Sequence, residues 1–544
     1  MPPPPAAPPV FYPARNGSLC ALVGTVHIHS RFDPETEASR FVESAIARSS
    51  AATIVLGAAL GYITRELRRR APSTRIITVD YHEDFRSRRV CDPDASWYPD
   101  TPETLTAFLY RILPEEELGG LAVLDWRPAA QAAGDLALTI AQELQNAISE
   151  LNANIATSGY FGRRWFRNAL ANFVSWQKYT VPPEDRRVTV IAASGPSLNR
   201  AADLLVHRRS DLRVWALASA LTPLLARDVV PDMIVVTDPG FYAEEHLREA
   251  RNLHIPVAAP FTTARGMWHV GGGIVLLDQG TAVEREIMRL AGLRGLAASP
   301  NGTVAGTALE LALSVTAGPI VLAGFDLCID DVISHASPHA FDHYTVFKQK
   351  RTAPLLTSLF TANLMGSARI SADSRARVAR SHQTFAAWFA RRFKPDGSPL
   401  DNRVFRLLPS PVALPITRLD ASLFGRLIRE GRAPVHAPTA HGGGSTPPVD
   451  VSRATRARKV LQLLTRWIDE IVDLPRATAD SRLFSAEGGL RELVAFIDTP
   501  ALLRIRRLAV SDLNAAVREA ELIAADTTQF LRDQRDHFRR AAAL

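Results

Sequence analysis

The stretch VTVIAASGPSL, residues 188–198, decides how this chain is read. Val188–Ala193 is an unbroken run of apolar and β-branched residues, the pattern of a strand buried on both faces. It runs directly into Ser194, Gly195, Pro196 and Ser197. A glycine at that point lets the backbone come close to a ligand. Ser194 and Ser197 add hydroxyls, and a helix starting at Leu198 would turn its N-terminus toward an anion. Further short apolar strands follow at Val214–Leu217, Ile234–Thr237, Pro256–Ala259, Ile274–Leu277 and Ile320–Ala323, with room for helices between them. Val304, Ala308, Leu311, Ala312 and Val315 share one face of such a helix. Strands alternating with helices predict a doubly wound, mostly parallel α/β core covered on both faces.

Working outward, Thr53–Leu56, a glycine turn over Gly57–Gly61, a helix to about Arg70 and a strand Ile76–Val79 ending at Asp80 make a βαβ unit, so the N-terminal part reads as a Rossmann-like domain. Its glycine pattern is incomplete for a dinucleotide. Residues 130–178 read as helix, with Ala141, Leu144, Ile148, Leu151 and Ile155 at helical spacing. Residues 436–449 have linker composition. Beyond them Val460, Leu464, Ile468 and Ile471, then Leu513, Val517, Ala520 and Ile523, form apolar stripes of a C-terminal helical bundle. The expected division is a disordered, proline-rich leader over 1–17, a Rossmann-like domain over 18–130, the central α/β domain with its helical lead-in over 131–435, a linker over 436–449 and a helical domain over 450–544.

With 544 residues, 47% apolar and 22% charged, the chain has the balance of a globular protein of several domains. A net charge of +7 favours anionic partners such as nucleotides. No basic run interleaved with aromatics points to nucleic acid. The N-terminus lacks the basic and apolar regions of a signal peptide, and no run of about 18 apolar residues would span a membrane, so a cytoplasmic location is expected. Cys20, Cys91 and Cys328 have no metal spacing and read as structural.

Four motifs carry the chemistry. The first is the Ser194–Ser197 turn. The second is Thr237-Asp238-Pro239 at a strand end, where Asp238 can hold a ribose hydroxyl or take a proton. The third is Asn301-Gly302-Thr303 opening a helix, suited to a phosphate or carboxylate. The fourth is Gly324-Phe325-Asp326, followed by a loop holding His335, His339 and His343. Histidine spacing of four with no nearby Cys or Glu is a weak metal signal. A general base or phosphate contact is the stronger reading.

In this order the motifs resemble the motility-associated-factor glycosyltransferases, whose core is similar to archaeal 6-hydroxymethylpterin diphosphokinase-like proteins and, distantly, to bacterial sialyltransferases. Gly195-Pro196-Ser197-Leu198, Pro231-Asp232 leading to Asp238-Pro239, Gly302-Thr303 through Ala308, Gly324–Leu327 and His335-Ala336 carry the resemblance. So do His29–Ala38 and Leu56–Tyr62 upstream. The resemblance implies transfer of a nonulosonic, sialic-acid-like sugar from a CMP-sugar donor to a protein Ser/Thr hydroxyl, in flagellin. It implies donor binding by Ser194, Gly195, Pro196, Ser197, Asn301, Gly302, Thr303, Asp326 and His339. His335 is expected as base or leaving-phosphate acid, with Asp238 as the alternative base. No cofactor is expected, and a divalent metal is dispensable if the donor carries a single phosphate. The competing readings are ATP-dependent diphosphoryl transfer to a pterin, and a scaffold that keeps only the fold.

Overall fold

The computed structural model describes residues 8–543 except 46–49, 73, 102, 114, 177, 183–185, 266–270, 299–302, 366, 371–374, 393–400, 431–451 and 485–488. It divides into two compact units. One comprises Met1–Arg163 with Leu463–Asp536, the other Arg164–Gln462 with His537–Leu544.

In the first unit, β1 (Val10–Pro13), β2 (Leu19–Val23) and β3 (Val26–His27) form an antiparallel sheet. Val10–Pro13 falls within the stretch expected as a disordered leader. Val10, Phe11 and Tyr12 are strand formers, and pairing with Leu19–Leu22 fixes them. The Rossmann-like part is a parallel four-stranded sheet of β4 (Ala52–Leu56), β5 (Arg75–Val79), β6 (Ala95–Trp97) and β7 (Leu121–Asp125), in the order β6-β5-β4-β7. Asp80, at the end of β5, is used internally. Its carboxylate accepts the Ala59 amide at 2.8 Å and pairs with the buried guanidinium of Arg89. A Cβ on Gly57 would lie 2.5 Å from Ala129 and 2.8 Å from Tyr81, so the glycine turn is packed against this unit's own side chains.

The C-terminal helices are not a separate body. The expected boundaries at 130/131 and 435/436 give way to one at 163/164, and Leu463–Asp536 joins the first unit. The reason is close packing. Cβ atoms on Gly159 and Gly162 of the helix Asp135–Ser175 would lie 2.6 Å from Pro500 and 2.5 Å from the Ile497 carbonyl oxygen. The expected linker at 436–449 lies outside the described residues.

The second unit is built on one parallel sheet. Its strands are β8 (Val188–Ala192), β9 (Leu212–Leu217), β10 (Met233–Val235), β11 (Val257–Ala259), β12 (Ile274–Asp278) and β13 (Leu296–Ala297). Then come β14 (Ile320–Ala323), a small antiparallel sheet of β15 (Ile329–Asp330), β16 (Ala368–Arg369) and β17 (Ala376–Val378), and finally β18 (Val404–Leu407) and β19 (Thr417–Leu419). The main sheet runs β13-β12-β11-β10-β9-β8-β14-β18-β19, and every pairing in it is parallel. Apolar clusters bury both of its faces, as the unbroken apolar runs require. Strand order grows one way from β8 through β13 and the other way from β14, so the topological switch point lies between β8 and β14. In open α/β sheets ligands bind in the crevice at the carboxyl ends of the strands flanking such a point. Among the described residues no helix is long and apolar enough to cross a membrane.

Candidate functional site

The two strands flanking the switch point end in the first and fourth motifs, and the structure ties these motifs together. The Gly195 amide donates to the Gly324 carbonyl at 2.8 Å. Asp326 receives the Ser197 amide on Oδ2 at 2.7 Å and the Ser197 hydroxyl on Oδ1 at 2.6 Å. Ser410 adds a bond to Oδ1 at 3.3 Å. Gly195 is a glycine because a Cβ there would lie 2.5 Å from the Gly324 carbonyl oxygen and 2.6 Å from Asp326 Oδ2. Gly324 has φ +63° and its Cβ would lie 2.2 Å from the Ala193 carbonyl oxygen. Neither position can carry a side chain unless the backbone moves.

Asp326 is only 3% exposed. Burial raises its pKa above the ordinary carboxylate value, while the bonds from Ser197 and the Arg406 charge pull it back. Hydrogen bonds to a charged group contribute about 1.5–3 kcal/mol each, so three of them offset part of a desolvation cost of several kcal/mol, and burial still prevails. The Asp326 carboxylate, expected as a donor contact, is therefore occupied in shaping the Ser194–Ser197 turn. Beneath it sits Arg406 of β18, 1% exposed, donating to the Phe325 carbonyl at 3.0 and 2.7 Å and to the Val412 carbonyl at 2.5 Å. Burial lowers its pKa to about 10. Sequence reasoning missed Arg406, although a lone arginine inside the apolar run Val404–Leu408 was a signal of a buried, bonded charge.

After β14 the chain returns across the sheet as a strap. The Ala336 amide donates to the Ser194 carbonyl at 2.8 Å, and Arg227 donates to the Ser337 carbonyl at 3.1 Å. The strap then reaches the helix Phe241–His246 that follows β10. Phe341 meets Tyr242 and His246 with ring centroids 5.0 Å apart, and His339 meets His246 at the same separation. His335 packs on His339 at 4.7 Å, and its Nδ1 bonds the Ser334 hydroxyl at 2.9 Å. His335 keeps an exposed surface. Its crowded setting, then the charges of His339 and His382, push its pKa down to about 4. Burial first, then His339 and His335, push His246 down to about 4 as well. The expected pair His335 and His339 is thus brought together. His246 joins them unforeseen, because a single histidine in the run Glu244–Leu247 carries no local signal.

Asp238 is exposed beyond β10, and its Oδ1 accepts the Gly240 amide at 2.7 Å. Its backbone is braced from below. The Asp238 carbonyl accepts the Ala264 amide at 3.0 Å and the Thr263 hydroxyl at 3.1 Å. The loop Phe261–Thr263 is held in turn by Asn172, whose amide donates to the Phe261 and Thr263 carbonyls at 2.8 and 2.9 Å. Asn168 donates to the Pro239 carbonyl at 3.0 Å. Glu284, fully buried, accepts the Thr262 amide at 3.1 Å and the Thr281 hydroxyl at 2.9 Å. Burial raises its pKa to about 7.

Of the third motif, Asn301 and Gly302 lie outside the described residues. Thr303 is the N-cap of the helix Val304–Val315, its hydroxyl accepting the Gly306 amide at 2.9 Å. Among the described residues no three His, Cys, Asp or Glu side chains are grouped so as to hold a metal ion.

Comparison with known proteins follows the same outline. The chain is 32% identical over 292 residues to an uncharacterized protein of Treponema pallidum (strain Nichols), a match spanning 53% of this chain and 61% of the relative's length. Its fold is similar to the structure of the MAf glycosyltransferase from Magnetospirillum magneticum AMB-1, with TM-score 0.56 and 11% sequence identity, over 98% of this chain and 92% of that one. Residues 164–332 match the family model for 6-hydroxymethylpterin diphosphokinase MptE-like domains, a span that holds the four motifs and stops three residues short of His335. The match covers the MptE-like core that the motifs of the sequence resemble.

Proposed function

We propose that this chain is a glycosyltransferase that moves a sialic-acid-like sugar from a CMP-activated donor to a protein Ser/Thr hydroxyl, with flagellin as the acceptor, in the cytoplasm. One observation carries the reading most. The Ser194–Ser197 turn is held open at the switch point by Asp326, under a strap that delivers His335 and His339. A turn feeding the helix Leu198–Val206 suits the single phosphate of a cytidylate. The fold of the similar MAf glycosyltransferase supports the same reaction class.

In this reading Ser194, Gly195, Pro196 and Ser197 receive the phosphate together with Asn301, Gly302 and Thr303, and His339 contacts the donor. His335 acts as base toward the acceptor hydroxyl or acid toward the leaving phosphate, and Asp238 is the alternative base. Asp326 acts through the turn it shapes.

The test is incubation with a CMP-activated nonulosonic acid and flagellin, read by intact mass. A mass increment of whole sugar residues on flagellin, surviving a chelator, is the expected result. Diphosphoryl transfer from ATP to 6-hydroxymethylpterin, with no binding of CMP, would replace the reading by the kinase one. Loss of turnover in chelator with rescue by Mn²⁺ would move the donor to a diphosphate sugar.

A further inference from the structure

His246 and His339 come from different strand ends, yet their rings meet at 5.0 Å and His335 extends the group to three. Nδ1 of His246 and Nε2 of His339 are buried, and neither bonds any protein group. A buried polar atom without a partner costs about 1–3 kcal/mol. Two such atoms on touching rings, beside a third ring that reaches solvent, form a place where an incoming group is awaited. Carboxylates do not fill that role. Asp342 Oδ2 accepts the His339 amide at 2.7 Å, its charge favouring protonated His335 and His339 without outweighing their burial, and Glu245 pairs with Arg248 at 3.8 Å. The remaining charged neighbours are cationic or neutral. His382 acts on His335, His343 packs on Tyr344 at 4.0 Å, and Arg227 is bonded to the strap carbonyl of Ser337.

We propose that His246, His335 and His339 form a proton-coupled anion site, which takes up one proton from solvent when the phosphodiester of a nucleotide donor settles against it. This rests on the reading of the switch-point crevice as a donor site and adds His246 to it. A neutral imidazole offers one N–H, and a protonated one offers two. Without the anion, desolvation and the neighbouring rings keep the cluster uncharged at neutral pH. A phosphate charge within a few ångströms favours the protonated form. The proton is gained by the cluster as a whole, because the three rings are in contact.

The test is calorimetric titration of the full chain at pH 6.5 with the methyl phosphodiester of CMP, whose phosphate stays monoanionic, in two buffers of different ionisation enthalpy. Cytidine, which lacks the anion, is the control. Uptake of about one proton per diester bound is expected, with affinity weakening up to about tenfold per pH unit above that point. Cytidine should take up none. His246→Gln should bind the diester several-fold more weakly and lose most of the proton uptake. His246→Asn, with a thermal melt, separates this from misfolding. Diester binding without proton uptake overturns the proposal and leaves the donor reading standing. Uptake unchanged in folded His246→Gln removes His246 from the site. No binding of the diester or of CMP removes the cytidylate reading and the proposal with it.

Discussion

Among single residues, Glu284 and His246 stand out because the fold opposes their charge. Glu284 is buried with two donors and a pKa raised to about 7. An acid whose folded pKa lies above its unfolded value holds its proton more tightly when folded. It therefore contributes stability that is fully present below about pH 4.5 and lost as pH rises through about 7. Glu284→Gln should melt higher than the parent at pH 8 and show no advantage at pH 5, by differential scanning fluorimetry. His246 has the opposite sign. Its pKa is lowered to about 4, so its burial is tolerated above about pH 6.5 and becomes destabilising as pH falls toward 4. In the same assay His246→Gln should gain on the parent at pH 5 relative to pH 7.5. Neither residue was legible in the sequence. Glu284 occupies a helix position, four residues after Gly280, that reads as solvated. His246 depends for its meaning on a loop about 90 residues later.

At the scale of elements, legibility followed the apolar period. Buried parallel strands announce themselves, and the sequence placed the six strands it named in the second unit within one to two residues of their ends. The short strand β18 and the edge strand β19 have three or four residues and mixed burial, and β1 is hidden beside prolines, so neither period nor composition revealed them. The Ser194–Ser197 turn was legible as a glycine turn. What the sequence could not say is that Asp326 would arrive beside it, since hydrogen-bond partners 129 residues apart leave no local pattern. Asp326→Asn keeps the shape but turns an amide NH2 or a weaker acceptor toward the Ser197 amide and hydroxyl. It should lower stability by about 1.5–3 kcal/mol in urea unfolding and weaken CMP binding. Gly195→Ala should weaken CMP binding more severely, because its Cβ meets backbone at 2.5 Å that cannot swing away. CMP affinity unchanged in both folded variants would take the turn out of the donor site.

At the scale of the whole molecule, the C-terminal helices changed meaning most. Read as a sequence, 450–544 is a helical bundle set apart by a linker. In the structure, a Cβ on Gly119 would lie 3.2 Å from the Leu503 carbonyl oxygen, and Leu463–Asp536 shares one compact unit with the N-terminal residues. Removing residues 450–544 should therefore expose apolar core and yield insoluble or protease-sensitive protein. The alternative outcome, a soluble truncation with a cooperative melt, would show that the first unit folds without these helices. Amphipathic stripes told the sequence reader that the helices bury one face but not what they bury it against.

The position of β8 sets a condition on how the chain is made. β8 is the first strand of its sheet to emerge and ends as an interior one, with β9 on one edge and β14 on the other. β9 follows within about 20 residues, but roughly 130 residues separate Ala192 from Ile320. At about 5–20 residues per second of synthesis, one hydrogen-bonding edge of this interior strand waits for about six to 26 seconds. That edge belongs to an apolar strand, buried along its whole length, of the kind that pairs with the wrong neighbour. Protection of the nascent chain is thus needed most while residues 193–320 are being made, and slowing translation across that window should raise aggregation more than slowing it anywhere after β14.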